Sequence, residues 1–188
     1  GGINGVVDPA DSFESHIQDT LIAGVYHNKK SAVEYMVKHS RPAIDWLITQ
    51  GVRFDRKNGK LAPTKEAAHS HNRVLHATDF TGQEIERALV ERVREKRNIL
   101  VWENCFTVDL LIAKGECFGV EVIREGKIQN VPGRAVILAT GGLGQIYRYT
   151  TNPNVATGDG IAMGVRAGCK TNDLEFIQFH PTALEYDE

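Results

Sequence analysis

The sequence predicts a mixed α/β fold in which packed helices accompany an inserted antiparallel β-meander. In the first half of the chain, apolar residues recur at three- and four-residue steps, which is the spacing of amphipathic helices. From Asn98 onward, short runs rich in β-branched and aromatic residues alternate with turn-like pieces such as KGE and REGK. We place the meander at residues 98–133, within a larger domain that extends over residues 1–184.

Two helical stretches are predicted before residue 52. The first spans residues 11–24, where Asp11 or Ser12 can cap the N-terminus and a glycine follows the last turn. The second spans residues 31–51 and contains Pro42. Because proline lacks a backbone N–H and clashes with the preceding turn, we expect two helical segments that meet near this residue.

A third helix follows a long polar segment. Residues 52–80 show no periodicity, which is typical of either a functional or a disordered loop. From Thr81 or Asp79, the stretch GQEIERALVERVREK places apolar side chains on one helix face and charges on the other. We expect the apolar face to pack inward.

Two glycine turns lie in the last third of the chain. The apolar run RAVILAT predicts a buried strand that leads directly into Thr140, Gly141 and Gly142. Glycine lets a bound group approach the backbone closely, but a plain strand-to-helix turn also accounts for this pattern. The second turn, TGDG, begins a helix, where Asp159 either caps the helix or accepts a hydrogen bond from a ribose or ribityl hydroxyl. The final apolar run, LEFIQFHPTAL, predicts a strand that ends on His180.

Composition and charge exclude several classes of function. The 188 residues carry 22 Lys and Arg against 24 Asp and Glu, so nucleic-acid and membrane-surface roles are not expected. No apolar run reaches the ~20 residues that a membrane-spanning helix needs. The three cysteines form no CxxC pair, which indicates a reducing, cytoplasmic location. Because the chain begins Gly-Gly-Ile without a methionine, we expect it to be an internal piece of a longer protein.

The polar loop concentrates ionisable side chains, since Glu66, His69, His71 and His76 fall within eleven positions. A metal site is one interpretation, but the spacing matches no common zinc pattern and no cysteine is near, so we assign no metal. An anion site is the other. In that case the imidazoles and the Arg73 guanidinium would bind carboxylates while Glu66 recognises a cationic amine, a combination that suits an amino acid.

A family resemblance rests on four stretches in order: GGI at the start, VLHATDFTGQEIE, VILATGGLGQIYRYTTNPNVATGDGIAMGVRAGC and LEFIQFHPTAL. Together they resemble the L-aspartate oxidases, flavoproteins of the succinate dehydrogenase and fumarate reductase superfamily. The segment TKEAAHSH is similar to the T-R-E-G-G-H-S-H loop of these oxidases, with Lys65 in place of arginine and Ala67-Ala68 in place of the glycines. The resemblance implies a partial doubly wound FAD-binding domain, with residues 185–188 at the start of a capping domain.

The resemblance also implies roles for individual residues. Glu66 would contact the substrate's amino group as a buried carboxylate, and His180 would bind a substrate carboxylate beside the flavin. Non-covalently bound FAD would be contacted by Gly1, Gly2, Thr140, Gly141, Gly142 and Asp159, with the first two glycines on its isoalloxazine side. No catalytic residue is assigned within the chain. The chain holds no GxGxxG motif, so the main phosphate site is expected elsewhere.

The implied reaction is hydride transfer from the aspartate Cα to flavin N5, which gives iminoaspartate for NAD biosynthesis, with reoxidation by oxygen or fumarate. We expect the 188 residues to be inactive on their own. The alternative enzyme is a fumarate reductase or succinate dehydrogenase flavoprotein. The alternative of another class is a non-catalytic, histidine-rich metal- or ligand-binding module. A sheet that lacks a strand would also expose an edge through which the chain could dimerise.

Overall fold

The structure, a computed structural model, describes residues 1–78 and 80–179. These residues form two compact units, residues 1–101 and residues 102 onward. The mixed α/β class is confirmed, since the described residues hold four α-helices and three small antiparallel sheets. None of the helices in these ranges combines the length and the apolar character that crossing a membrane requires.

The first unit contains three helices. Helix α1 (Phe13–Ala23) begins where predicted, because the Ser12 hydroxyl accepts a hydrogen bond from the Ser15 N–H at 3.0 Å. Helix α2 (Lys30–Thr49) runs without interruption through Pro42, so the predicted pair of segments is wrong. Helix α3 spans Thr81–Arg94.

The reason α2 continues through its proline lies in its packing. Val37 and Ile44 stand on either side of Pro42 and are both fully buried. Burial of a large aliphatic side chain stabilises a fold by ~1.5–3 kcal/mol, so two of them on one face can offset the hydrogen bond that proline removes.

Four short strands lie between and beside these helices. Strand β1 (Ile3–Asn4) pairs antiparallel with β4 (Val74–Leu75), so the start of the chain lies against the end of the polar loop. Strands β2 (Arg56–Lys57) and β3 (Lys60–Leu61) form a hairpin. The core of the unit joins α2, α3 and β4 through buried residues that include Ile44, Leu47, Val52, Phe54, Leu75 and Ala88. Ile85 and Leu89 of α3 pack against this core, which confirms the predicted inward face.

The second unit contains the predicted meander. Strands β5 (Phe106–Ala113), β6 (Glu116–Arg124) and β7 (Lys127–Pro132) pair antiparallel in chain order, so the meander occupies residues 106–132 rather than 98–133. A 3₁₀ turn (Gly144–Ile146) and helix α4 (Asp159–Arg166) follow. Arg166 of α4 donates to the Asp109 carboxylate of β5 at 2.8 Å and so ties the helix to the sheet.

Two predicted strands of the second unit are wrong within the described residues. The run RAVILAT forms no strand, and its Ile137 is 91% exposed. Residues 174–179 form no strand either. A strand that is apolar on both faces needs neighbours on each side, and the described part of this unit offers only the three-stranded meander, whose partners are already set by short turns.

Candidate functional site

The glycine pair at the start of the chain lies beside the polar loop. Gly2 packs so closely on β4 that a Cβ there would collide with the Leu75 carbonyl oxygen, whereas Gly1 faces open space. The Gly1 carbonyl accepts a hydrogen bond from the Thr81 hydroxyl at 2.9 Å. An open cleft of about 440 Å³ runs beside this pair and is lined also by Phe80, Thr81 and Gln83. The pair therefore presents bare backbone to a cleft.

Glu66 is connected to this glycine pair through His76. The Glu66 carboxylate lies 3.2 Å from His76 Nε2, and His76 Nδ1 lies 3.3 Å from the Gly1 carbonyl oxygen. The Thr64 hydroxyl also contacts His76 Nε2, at 2.7 Å. The Glu66 side chain is 46% exposed, so the expected burial of this carboxylate is wrong for the described residues. The reason is that residues 64–68 lie on the surface, where solvent reaches the carboxylate.

Arg73 does not have the role that the loop composition suggests. Its guanidinium is fully buried and binds the Asp11 carboxylate with two nitrogens, at 2.8 and 2.7 Å. A third contact joins Arg73 Nη1 to Asp19 at 2.6 Å. Because two carboxylates already neutralise this cation, it is not available to bind a ligand carboxylate, and the anion-site hypothesis is wrong for Arg73.

The electrostatics of this buried centre follow from the pairing. Burial alone would raise the pKa of Asp11 and of Asp19, but hydrogen bonds and the Arg73 charge outweigh it, leaving Asp11 below its usual value and Asp19 at about 2. Burial, together with the nearby charges of Arg73 and His69, lowers the pKa of His16 to about 4. His16 is therefore neutral near pH 7, and its Nδ1 has no hydrogen-bond partner.

The histidines of the loop do not converge on a metal site. His69 Nε2 lies 3.3 Å from the Asn4 amide, and His71 Nδ1 lies 3.1 Å from the Ser15 hydroxyl. His76 instead contacts Glu66 and Thr64. Among the described residues, no group of three or more His, Cys, Asp or Glu side chains is arranged to hold an ion. The structure thus offers no support for the metal-binding module.

The two glycine turns of the second unit meet. The Gly158 N–H donates to the Gly142 carbonyl at 3.1 Å, which joins the turn after Thr140 to the start of α4. Gly158 has φ +81°, and a Cβ at Gly160 would collide with the Thr140 side chain, so the contact requires glycine at both positions. Gly141 and Gly142 face open space.

Asp159 lies at the N-terminal end of α4 and is exposed. It accepts a hydrogen bond from the Thr157 hydroxyl at 2.7 Å and does not cap the helix. One carboxylate oxygen therefore remains for a ligand hydroxyl, and the helix dipole favours negative charge at this end. The structure brings Thr140 and Gly142 beside Gly158 and Gly160, the two neighbours of Asp159, whereas His180 lies outside the described residues. The cofactor contacts expected of these residues stay a prediction.

Comparison with known proteins identifies the family. The family described as "FAD binding domain" matches residues 1–187. The chain belongs to this FAD-binding family. FAD is therefore its cofactor. Within the first unit Gly1, and separately within the second unit Gly141 and Gly142, leave main chain that a ligand can approach closely.

Relatives of this FAD-binding domain include L-aspartate oxidases. That of Yersinia pestis is 46% identical over 98% of this chain, and that of Synechocystis is also 46% identical over 98%. The chain spans 37% and 34% of the length of these two relatives. Among solved structures, a quinol fumarate reductase of E. coli is 30% identical, with a TM-score of 0.85 over 88% of this chain and 29% of its own. Sdh1 of Mycobacterium smegmatis is 29% identical, with a TM-score of 0.83 over 89% of this chain and 31% of its own.

The buried centre around Arg73 was missed by sequence reasoning. Ser15 and Asp19 are four residues apart on α1 and so share one face. A polar helix face ordinarily lies toward solvent, so this spacing alone does not predict a buried partner. The sequence does not show that Asp19 pairs with Arg73, because 54 positions separate them.

Proposed function

We propose that the whole protein that carries this chain is an FAD-dependent L-aspartate oxidase. Support comes from relatives of that name, which are 40–46% identical over 98–100% of the chain, against 29–30% for the fumarate reductase and Sdh1 structures. The observation that carries the proposal is the Glu66–His76–Gly1 connection. It sets a carboxylate one imidazole away from the bare backbone at which the flavin ring is proposed to lie.

Each residue has a specific task in this proposal. FAD, when bound, would supply the two-electron oxidation: the aspartate Cα would give up a hydride and the substrate nitrogen a proton to solvent, which leaves iminoaspartate. Glu66 binds the substrate ammonium, and His76 holds the Glu66 carboxylate toward the cleft beside Gly1. Gly1, Gly2, Thr140, Gly141 and Gly142 admit the cofactor to the backbone, and Asp159 accepts a hydrogen bond from one of its hydroxyls. His180 binds a substrate carboxylate.

Glu66 is the residue expected to select aspartate over succinate, since the two dicarboxylic acids differ by one ammonium group. A hydrogen-bonded ion pair with that group, formed as the substrate covers the carboxylate, corresponds to roughly 10- to 150-fold in discrimination. The reduced cofactor is reoxidised by oxygen or fumarate. The three free cysteines fit a reducing compartment, and we place the protein in the cytoplasm. Self-pairing of the isolated chain through an open sheet edge is part of the same proposal.

The test is E66Q in the whole protein. Aspartate oxidation should fall at least tenfold in kcat/KM while fumarate reduction survives, because only aspartate carries the ammonium that Glu66 binds. The matched control is E34Q, which makes the same change at an ion-paired surface glutamate of α2. Equal loss of both activities in E66Q would contradict the role of Glu66.

The second candidate function, a fumarate reductase or succinate dehydrogenase flavoprotein, is favoured by the fold similarity to the two solved structures. The measurement that distinguishes this candidate from the oxidase is the rate at which the wild-type protein oxidises succinate and aspartate. A protein that oxidises succinate and leaves aspartate unchanged would favour this second candidate over the oxidase.

A further inference from the structure

The loop that carries Glu66 has little to hold it by packing. Residues 64–68 are all exposed and include no large apolar side chain. Ala68 has φ +65°, in the left-handed region that alanine disfavours and that glycine adopts freely. The start of the loop is held by backbone hydrogen bonds between Thr64 and Val74 and by the contact of Glu66 with His76. The path of the rest of the loop depends on contacts made at its far end.

At the far end of the loop, around Ser70, the contacts converge on one atom. Asp19 Oδ2 of α1 accepts hydrogen bonds from both the backbone N–H and the hydroxyl of Ser70, each at 2.7 Å. The same oxygen accepts from Arg73 Nη1 at 2.6 Å. Arg73 is held in turn by the two-nitrogen contact with Asp11, whose side chain is fully buried. Asp19 thus joins the end of the loop to a fixed cation.

Further contacts hold residues 70–73 from two sides. The Ser15 hydroxyl of α1 lies 3.0 Å from the Ser70 hydroxyl, so a second α1 residue contacts the same loop position. On the far side, the Gly5 N–H donates to the Arg73 carbonyl at 3.0 Å, and β1 pairs with β4. Helix α1, the loop and the strand that follows Gly1–Gly2 are therefore linked through residues 70–73.

We propose that Asp19 is a positioning residue that, with Arg73, fixes the loop of residues 64–71 and so places Glu66 for the substrate ammonium. The kinetic part of this inference rests on the proposed function. The ordering of the loop does not, because it is a property of the protein with or without substrate. Asp19 itself touches neither substrate nor cofactor in this account.

The experiment compares wild type, D19N and S70A as whole, FAD-loaded proteins, using amide hydrogen exchange without substrate. D19N removes the charge that three donors share, and amides of residues 64–71 should exchange about tenfold faster while those of α2 keep their rates. S70A removes the hydroxyl contacts with Asp19, Ser15 and His71 but keeps the Ser70 N–H bond to Asp19. It should give a smaller change of the same kind, so the inference stays testable if D19N folds poorly. D45N is the matched control, because Asp45 accepts two hydrogen bonds from Arg41 at 3.0 Å on the surface of α2.

The kinetic readout separates positioning from general structural damage. In D19N the KM for aspartate should rise about tenfold with kcat changed less than twofold, because a displaced Glu66 weakens binding of the ammonium in ground and transition states alike. Unchanged loop exchange in both D19N and S70A would overturn the inference. So would a D19N effect that lowers FAD content and kcat while KM stays constant. A wild-type protein that does not oxidise aspartate would overturn the proposed function and leave the loop-exchange result to decide the ordering claim.

Discussion

The two units hold their candidate site residues by different physical means. In the first, a buried guanidinium between two carboxylates anchors a polar loop that is exposed along residues 64–68. In the second, no buried ion pair is seen among the described residues, and two turns meet because glycine leaves room for one backbone to approach the other. Ion pairing therefore holds the site residues of the first unit in place. In the second unit, the absence of side chains at the glycines allows the two turns to meet. Charge changes should damage the first unit most, and added volume the second.

The largest expected effect comes from removing the cation of the first unit. R73M leaves the fully buried Asp11 and the largely buried Asp19 without their partner, which should lower the free energy of unfolding by ~3–5 kcal/mol. Denaturant unfolding measures the loss. R41M, which breaks an exposed ion pair, is the control and should cost less than ~1 kcal/mol. A loss of that small size in R73M would mean that the buried centre does not hold the unit.

A pH effect of about 3 kcal/mol should come from His16. Its pKa is about 4 in the fold against 6.5 ordinarily, so the unfolded chain takes up this proton first as the pH falls. The contribution of His16 to the free energy of unfolding is complete above pH 6.5 and is lost between pH 6.5 and pH 4. The contribution of Asp19 is lost only below pH 3.8, the ordinary pKa of an aspartate.

The measurement for His16 is unfolding free energy across that pH interval. H16Q should flatten the slope between pH 6.5 and 4, because the group that titrates is gone. H39Q, which changes an exposed histidine that stacks on Tyr35 of α2, is the control for loss of an imidazole. An unaltered slope in H16Q would show that another group causes the acid loss.

A steric change should break the second unit by ~1–3 kcal/mol. G160A introduces a Cβ that collides with the Thr140 side chain and should push apart the two glycine turns, which lowers both stability and FAD content. G164A lies on the same helix, where a Cβ would meet only Cys169 at 3.8 Å, and should be neutral or stabilising. Thermal unfolding and bound flavin per chain are the readouts. Equal behaviour of the two variants would contradict the steric account.

The smallest expected effect comes from a change in the backbone of the loop that carries Glu66. A68G relieves a left-handed alanine and should stabilise the native loop by up to ~1 kcal/mol, partly offset by the greater freedom of glycine in the unfolded chain. Slower amide exchange across residues 64–71 is the expected observation. Faster exchange would mean that alanine is not strained there.

Sequence reasoning succeeded where local chemistry determines structure. The Ser12 cap, the three middle runs of the predicted meander and the start of α4 after Gly158 each follow from a few neighbouring residues. The runs at residues 99–105 and 134–140, which were also expected to be strands, form none. It failed where distant packing decides. Pro42 predicted a break that the buried Val37 and Ile44 prevent, and Arg73 was taken for a ligand-binding cation because its partners lie 54 and 62 positions away.

In the candidate site, too, features set by neighbouring residues were predictable and features set by distant contacts were not. The glycine turns were predictable because a positive φ or a missing Cβ is specific to glycine, and the structure joins them by a backbone hydrogen bond. The exposure of Glu66 was not predictable, since it depends on what covers the loop. The link from Glu66 through His76 to Gly1 was not predictable either, because it needs the pairing of β1 with β4.

In the function proposed for the whole protein, Glu66 and the glycine backbone belong to a flavin site that oxidises aspartate. The most direct test is the visible absorbance of the gently purified whole protein before and after addition of aspartate or succinate. We expect a flavin spectrum that aspartate bleaches and succinate does not. A colourless protein, or a flavin that only succinate bleaches, would contradict the claim.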